Sequence, residues 1–120
     1  MKPKLSLVAT LIALSLCSFM TLNAIAEEQS AVFAGGCFWC TESDFEKLDG
    51  VVSAASGYIG GQVKNPSYKQ VSAGGTGHTE AVEVIFDDQK VSYSQLVEYF
   101  WKTIDPTDGG GQFCDRGQQL

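Results

Sequence analysis

The sequence predicts a small α+β domain, a two-layer sandwich of the split-βαβ (ferredoxin-like) type, on three observations. Strand and helix patterns follow one another in the order β-α-β-loop-β-α. The 120 residues leave room for one domain. An apolar fraction of 44% with 18% charged residues is typical of a globular chain. Such a unit normally ends on a fourth strand, and because no strand pattern follows the second helix, the sheet is expected to lack its last strand.

The first 26 residues are interpreted as a secretory signal peptide rather than as part of the fold. Two lysines precede an apolar run over 5–22, and the small residues Ala24 and Ala26 stand directly before two acidic residues. An uncleaved anchor is the alternative, since about 18 apolar residues can just span a bilayer. Cleavage after Ala26 would leave a domain over 27–120, exported to the periplasm or the medium and without stable membrane association.

The first half of that domain is predicted as strand, helix and strand. Residues 30–34 are short, apolar and bounded by two glycines, which is typical of a strand. Residues 37–48 carry apolar side chains at helical spacing and end at an Asp-Gly pair. Residues 51–59 are rich in small and β-branched side chains and predict the second strand. Residues 60–77 are polar and glycine-rich, and a long loop of this kind is usually functional or disordered.

The second half is predicted as a strand, a helix and a polar tail. Residues 78–86 alternate in polarity, and the mixed polarity of one face indicates that this strand enters a site. Residues 92–103 form an amphipathic helix whose aromatic stripe is expected in the core, with Ser92 as its N-cap. Asp105-Pro106 ends the helix, and 108–119 is expected to be an irregular tail.

Charge and cysteine number narrow the class of protein. The formal net charge of −6 argues against a general nucleic-acid binder, which needs a basic surface to neutralise phosphates. Removal of the signal peptide leaves Cys37, Cys40 and Cys114. Because this number is odd, a purely structural disulfide framework is not expected in an exported protein, and at least one thiol should be free, catalytic or transiently paired.

Cys37 and Cys40 lie where the first strand turns into the first helix. Unpaired N–H groups and the helix dipole stabilise a thiolate at such a position. The two-residue spacing also lets Cys40 attack an oxidised Cys37 without a large movement. Phe38 and Trp39 stand between the two cysteines and indicate an apolar recess. The spacing favours redox or nucleophilic chemistry.

Two structural alternatives for these cysteines stay open at this point. The pair can simply pack in the domain, or it can form half of a zinc site completed by His78 and Cys114. A second C-x-x-C motif is absent from the sequence, which argues against zinc.

Five blocks of sequence together resemble the A-type peptide methionine sulfoxide reductases. Each block alone is a modest signal, but the five occur in the family's order and span 31–119. The blocks are Gly36-Cys37-Phe38-Trp39-Cys40, Gly57-Tyr58-Ile59-Gly60-Gly61, Asn65-Pro66-Ser67-Tyr68, Gly77-His78-Thr79-Glu80-Ala81-Val82 and Phe113-Cys114-Asp115-Arg116-Gly117-Gln118-Gln119.

The resemblance implies a reaction in which the Cys37 thiolate attacks the sulfur of a methionine S-sulfoxide, becomes a sulfenic acid and releases methionine. Glu80 matches the carboxyl group that protonates the sulfoxide oxygen, and burial beside aromatic rings would raise its pKa enough to keep it protonated. Tyr68 matches a hydroxyl that holds this oxygen, and Asp115 matches a carboxylate of the same polar cluster. Without the resemblance, Glu80 would be interpreted as a solvated strand residue.

The resemblance also assigns the substrate pocket and the recycling step. Phe38 and Trp39 match the aromatic pocket for the terminal methyl group, and His78 is expected to tie the loop to the strand. Cys40 matches a resolving cysteine that forms a disulfide with Cys37, with Cys114 as its rival. A thioredoxin-like donor would reduce this disulfide. The implied partners are proteins or peptides that contain methionine sulfoxide, and neither a cofactor nor a metal is implied.

The last block departs from the family pattern, because it normally continues into a tyrosine and the final strand, whereas Leu120 follows here. The expectation is a C-terminally truncated member with weak or no activity, since a missing strand leaves an unpaired edge in a small domain. An inactive fragment, a general exported thiol–disulfide oxidoreductase and a zinc-binding module are the alternatives. The oxidoreductase alternative gives no reason for the blocks around Tyr68, Glu80 and Asp115.

Overall fold

A three-stranded antiparallel sheet forms the framework of the computed structural model, which describes residues 26–120. Its strands are β1 (Glu28–Phe33), β2 (Val51–Ile59) and β3 (Thr79–Asp87), in the order β1-β3-β2. Because β3 is antiparallel to both neighbours, β1 and β2 run parallel to each other with β3 between them. This is the predicted split-βαβ arrangement, and within the described residues no fourth strand joins this sheet.

The predicted signal peptide lies outside the described residues, apart from its last position, and stays a prediction. Within residues 26–120, no helix combines the length and the apolar character needed to cross a membrane.

Three helices connect and cover the strands. Helix α1 (Phe38–Phe45) joins β1 to β2, α2 (Tyr68–Ser72) lies between β2 and β3, and α3 (Tyr93–Trp101) follows β3. Helix α1 is shorter than predicted, because the chain after Phe45 tightens into turns in which N–H groups bond to carbonyls three residues back.

The predicted N-cap of α3 is confirmed. The Ser92 side chain accepts a hydrogen bond from the Gln95 N–H at 3.3 Å, and the Gln95 side chain accepts one from the Ser92 N–H at 2.9 Å. This capping box satisfies two N–H groups that a helix start otherwise leaves without a partner.

The prediction that 60–77 is a loop throughout was wrong, since it contains α2. A second capping box starts this helix, with Ser67 as N-cap and Gln70 as its reciprocal partner. The glycine-rich flanks concealed a helix of only five residues. Its first residue is Tyr68, so the short helix orients a side chain of the candidate site.

The prediction of an irregular tail over 108–119 was also wrong. Strands β4 (Gly111–Gln112) and β5 (Asp115–Arg116) form a small antiparallel hairpin. An ion pair between Arg116 and Asp108, with 2.6 Å between nitrogen and oxygen, holds the hairpin against the preceding loop.

The core lies between the sheet and the helices α1 and α3. The rings of Phe33, Phe45 and Phe100 form its centre, with centroid distances of 4.7, 5.2 and 6.2 Å. Leu96 of α3 is completely buried, as predicted for the apolar stripe. Trp101 is 62% exposed, so the aromatic stripe enters the core only in part.

The turn before α1 depends on the absence of a side chain at Gly36. This residue has φ +83°, a conformation that L side chains rarely adopt. A Cβ at this position would also lie 2.5 Å from the Cβ of Gln112 in the hairpin. Gly36 therefore allows β4 to pack directly against the turn that carries Cys37.

We expect Gly36→Ala to lower the free energy of unfolding by about 1–3 kcal/mol, because alanine adopts this backbone conformation only with strain. Urea denaturation followed by circular dichroism measures the change. The control is Gly109→Ala, since Gly109 has no neighbour within 4 Å of an added Cβ and no positive φ. Equal stability of the two variants would contradict the role given to Gly36.

Candidate active site

Cys37 is the N-cap residue of α1, at the end of the turn from β1. Its carbonyl accepts hydrogen bonds from the N–H groups of Cys40 and Thr41, both at 3.1 Å. Its side chain makes no capping hydrogen bond. The backbone of Cys37 thus starts the helix while its sulfur stays free for other contacts.

The sulfur of Cys40 lies 3.0 Å from the sulfur of Cys37, and the Cys40 thiol donates the hydrogen bond. Both cysteines are free thiols. This hydrogen bond, followed by burial and the negative charge of Cys37, raises the pKa of Cys40 to about 11. Cys40 is therefore a protonated neighbour that needs almost no movement to bond with Cys37.

Glu80 lies near the start of β3 and is only 4% exposed. Burial raises the pKa of its carboxyl group, and the negative charge of Asp115 raises it further. A hydrogen bond from the backbone N–H of Phe38 acts in the opposite direction. The burial and raised pKa expected for Glu80 are confirmed, and Glu80 is available as a proton donor at a higher pH than an ordinary glutamate.

Three aromatic rings form a stacked group beside Cys37. The ring of Trp39 lies 5.4 Å from Phe38 and 5.5 Å from Tyr68, and Phe38 and Tyr68 are 6.4 Å apart. Phe38 is 5% exposed, whereas Trp39 and Tyr68 are 61% and 51% exposed. Phe38 therefore forms the floor of an aromatic recess, and the other two rings form its open rim.

Six of the seven predicted site residues line one cavity of about 260 Å³, which we call the Glu80 cavity. They combine a thiol, two carboxyl groups, a phenol and two further aromatic rings. The cavity is lined by Cys37, Phe38, Trp39, Tyr68, Glu80, Asp115, Arg116, Gln119 and Leu120. Residues from α1, α2, β3 and β5, which are far apart in the sequence, thus meet at one place.

The seventh predicted residue, Cys40, lines a different cavity of about 200 Å³, which we call the Cys40 cavity. Cys37 and Asp115 line both cavities. The lining of the Cys40 cavity consists of Gly35, Cys37, Cys40, Thr41, Asp44, Thr103, Gln112, Phe113, Cys114 and Asp115. All three cysteines of the described chain therefore reach one space.

Tyr58 is a neighbour of the site that the sequence did not single out. It is the partner of Glu80 in the pairing of β2 with β3, and its ring lies 5.5 Å from Phe38. Burial raises the pKa of its hydroxyl, and the charges of Glu80 and Tyr68 raise it further. The register of the two strands was the missing signal, because it places Tyr58 beside Glu80.

His78 ties the loop before α2 to the start of β3, as expected. Its Nδ1 accepts a hydrogen bond from the Gly61 N–H at 3.2 Å, and its Nε2 lies 2.8 Å from the Val63 carbonyl, to which it donates. Both ring nitrogens of His78 thus have backbone partners in the loop before α2. No group of three or more potential ligands in the described part of the chain is arranged to hold a metal ion.

The fold and this site together define the class: an α+β protein with a pair of reduced thiols beside a buried carboxyl group and an aromatic cavity. A family model described as Peptide methionine sulfoxide reductase matches residues 29–120, and the chain belongs to this family. The family resemblance of the five sequence blocks is thereby confirmed.

Relatives and solved structures agree with this assignment. The chain is 64% identical over 89 residues to peptide methionine sulfoxide reductase MsrA of Streptococcus uberis. The matched region covers 74% of this chain and 53% of the relative. It is 60% identical over 94 residues to peptide methionine sulfoxide reductase MsrA/MsrB of Vibrio cholerae, and this match covers 78% of this chain and 25% of the relative. The chain spans about half the length of the first of these relatives.

Two solved structures share the fold. Methionine sulfoxide reductase A of Corynebacterium diphtheriae matches with a TM-score of 0.74 at 36% identity, over 82% of this chain and 47% of that chain. Reduced Mxr1 of Saccharomyces cerevisiae matches with a TM-score of 0.72 at 31% identity, over 78% of this chain and 56% of that chain. The predicted α+β fold class is therefore confirmed.

The raised pKa of Cys40 leads to a prediction about its reactivity. We expect Cys37→Ala to speed the alkylation of Cys40 by iodoacetamide at pH 8 on the order of 10-fold or more, because the main cause of the raised pKa is removed and the thiolate fraction grows. Peptide mass spectrometry after timed quenching gives the rate, and the exposed Cys114 is an internal control whose rate stays constant. An unchanged Cys40 rate would contradict the thiol–thiol hydrogen bond.

Proposed function

We propose that this chain reduces methionine S-sulfoxide, free or in proteins, to methionine, and so repairs oxidative damage. The observation that carries the proposal is the joint lining of the Glu80 cavity by Cys37, Glu80, Tyr68 and Asp115 with two aromatic side chains. Such a cavity offers a nucleophile, a proton donor and an apolar surface to one small substrate. The family to which the chain belongs supports the same activity.

The aromatic recess is proposed to bind the end of the substrate side chain. The methyl group of the sulfoxide would lie against Phe38 and Trp39, since a stacked aromatic pair offers a large and rigid apolar surface. The polar oxygen would then face the other part of the cavity, where Tyr68, Glu80 and Asp115 supply hydroxyl and carboxyl groups. This placement presents the sulfur to Cys37.

The chemical step consumes one proton and transfers oxygen. The Cys37 thiolate attacks the sulfoxide sulfur while Glu80 donates its proton to the oxygen, which is then a better group to transfer. The oxygen ends on Cys37 as a sulfenic acid, and methionine leaves with the two electrons of the former thiolate. The raised pKa of Glu80 supports its part as the acid in this step.

Cys40 is proposed to resolve the sulfenic acid. Its sulfur lies 3.0 Å from that of Cys37, so attack on the oxidised sulfur needs little motion. A Cys37–Cys40 disulfide forms and water leaves with the oxygen. A thioredoxin-like dithiol would then return both cysteines to thiols by exchange. Cys114 lies at the tip of the hairpin, exposed, and is the rival resolving residue.

The place of action is proposed to be the cell envelope. The expected signal peptide over 1–26 would export the chain, and sulfoxide-containing proteins of the periplasm or the medium would be its substrates. Neither nucleic acid nor a membrane is proposed as a partner of the mature domain over 27–120.

A substrate comparison tests the proposal. Purified 27–120 is given the S and the R epimers of a methionine sulfoxide peptide with dithiothreitol, and methionine is measured by chromatography. Product from the S epimer supports the proposal. Reduction of a model disulfide without any methionine product would favour the general oxidoreductase, and no turnover of either substrate would identify an inactive form of the family.

Replacement of Glu80 tests whether its carboxyl group donates the proton in sulfoxide reduction. We expect Glu80→Gln to slow sulfoxide reduction by about 10²–10⁴-fold, because glutamine donates a hydrogen bond but no proton. In the unmodified chain the rate should fall as pH rises through the raised pKa of Glu80, and this fall should be absent from the variant. Glu83→Gln is the control, since Glu83 is on the same strand but exposed. A pH-dependent fall that survives in Glu80→Gln would assign the proton to another group.

Removal of the resolving thiol should separate the two halves of the cycle. We expect Cys40→Ser to release about one equivalent of methionine per chain and then stop with thioredoxin as the reductant, because no Cys37–Cys40 disulfide forms. Cys114→Ser should cycle normally. If Cys40→Ser cycles with thioredoxin and Cys114→Ser does not, Cys114 is the resolving residue.

A further inference from the structure

We propose that the thiol which reduces the Cys37–Cys40 disulfide reaches it through the Cys40 cavity, and that Asp44 and Asp115 in this cavity disfavour anionic thiols. The inference rests on the proposed function, because it concerns the regeneration of the same two cysteines. It assigns the two cavities to different reactants, with the sulfoxide in the Glu80 cavity and the reducing thiol in the Cys40 cavity.

Access to Cys40 separates the two cavities. Cys37 lines both of them, whereas Cys40 lines the Cys40 cavity and is not part of the Glu80 cavity. A thiol that attacks Cys40 therefore arrives from the side of Thr103 and Phe113. Phe113 is 67% exposed at this place and offers an apolar contact to an incoming molecule.

The chemistry of exchange favours attack on Cys40 rather than on Cys37. A thiol with a high pKa is a poor leaving group in disulfide exchange. In the disulfide, burial and the charges of Asp115 and Asp44 still act on Cys40, raise the pKa of its thiol and so disfavour its departure as a thiolate. Attack on Cys37 would have to expel Cys40. Attack on Cys40 forms a mixed disulfide between the reductant and Cys40, breaks the Cys37–Cys40 bond and returns its electron pair to Cys37.

A second thiol completes the exchange and balances it. A thiolate attacks the reductant's sulfur in the mixed disulfide, and the oxidised reductant leaves as a disulfide. Cys40 takes the electron pair of the broken bond and then a proton. Two thiols have thus supplied the two electrons that convert one protein disulfide to two protein thiols.

The charges around Cys40 are negative. Asp44 and Asp115 line the cavity, and none of its described lining residues is a lysine or arginine. Both carboxylates also raise the pKa of Cys40 through their charge. Lys47 offsets Asp44 in part, with 3.0 Å between nitrogen and oxygen, but this pair is largely exposed and screened by water. An anionic thiol therefore meets repulsion, and a cationic thiol meets attraction.

A series of small thiols of different charge tests the inference. The Cys114→Ser chain is oxidised with diamide, and reduction of its Cys37–Cys40 disulfide by cysteamine, 2-mercaptoethanol and 2-mercaptoethanesulfonate is followed by quenching and mass spectrometry. Each rate is divided by the rate of the same thiol with bis(2-hydroxyethyl) disulfide. We expect the cationic thiol to be fastest and the anionic thiol slowest, by about threefold per unit of charge.

Matched charge variants locate the effect. Asp44→Asn should narrow the spread between cysteamine and 2-mercaptoethanesulfonate, whereas Asp88→Asn, which removes the same charge at an exposed site at the end of β3, should leave it unchanged. Equal normalised rates for the three thiols, or equal effects of the two variants, would overturn the inference.

A bulky substitution tests the route itself. Thr103→Phe should fill the Cys40 cavity and slow reduction by all three thiols, while methionine formation in the first turnover of the reduced chain stays the same. Thr103→Ser is the control for size. Equal slowing of both steps by Thr103→Phe would overturn the assignment of separate cavities. If the unmodified chain forms no methionine but the order of the thiols holds, the proposed function fails and the route for the reducing thiol stands.

Discussion

The close packing of the β4–β5 hairpin against the turn before α1 is the contact on which the site depends. Gln112 lies against Gly36, and its side chain also bonds to the Asp105 backbone, accepting from the N–H at 2.6 Å and donating to the carbonyl at 2.8 Å. One amide side chain thus joins the hairpin, the loop after α3 and the cysteine-bearing turn. The hairpin also carries Asp115, which lines both cavities together with Cys37, so the hairpin supplies part of the wall of each cavity.

The buried carboxyl group of Glu80 has an energetic consequence for the fold. Its pKa is raised mainly by burial, so the folded state favours the protonated form more than the unfolded chain does. The corresponding stabilisation is fully present below the unfolded pKa and is lost as pH rises through the folded pKa. The N–H of Glu80 also donates a hydrogen bond to the Gln119 carbonyl at 2.8 Å, which ties the start of β3 to the residues after β5. The fold therefore holds an acid at a position where its ionisation is unfavourable.

The sequence was sufficient for the elements whose pattern is local and strong. Strand β2 has the predicted bounds, and Ser92 is the N-cap of α3, as predicted. Helix α2 and the hairpin escaped prediction because they are short, and because side-chain bonds such as that of Gln112 hold the hairpin in place. The pairing of Tyr58 with Glu80 could not be predicted from composition, since strand register is set by packing between distant segments.

The two halves of the proposed cycle, sulfoxide reduction and regeneration of the thiols, share the residue Cys37. Cys37 and Asp115 line both cavities, so the sulfur that we propose to be oxidised in the Glu80 cavity is also accessible from the Cys40 cavity. The sulfur of Cys40 lies 3.0 Å from that of Cys37. Of the two cavities, Cys40 lines only the Cys40 cavity. The proposed Cys37–Cys40 disulfide would therefore lie at the Cys40 cavity, and the 3.0 Å between the two sulfur atoms lets it form without movement of a helix. In the proposed cycle, the sulfoxide and the reducing thiol are kept apart because one cysteine is the N-cap of α1 and the other lies in its first turn.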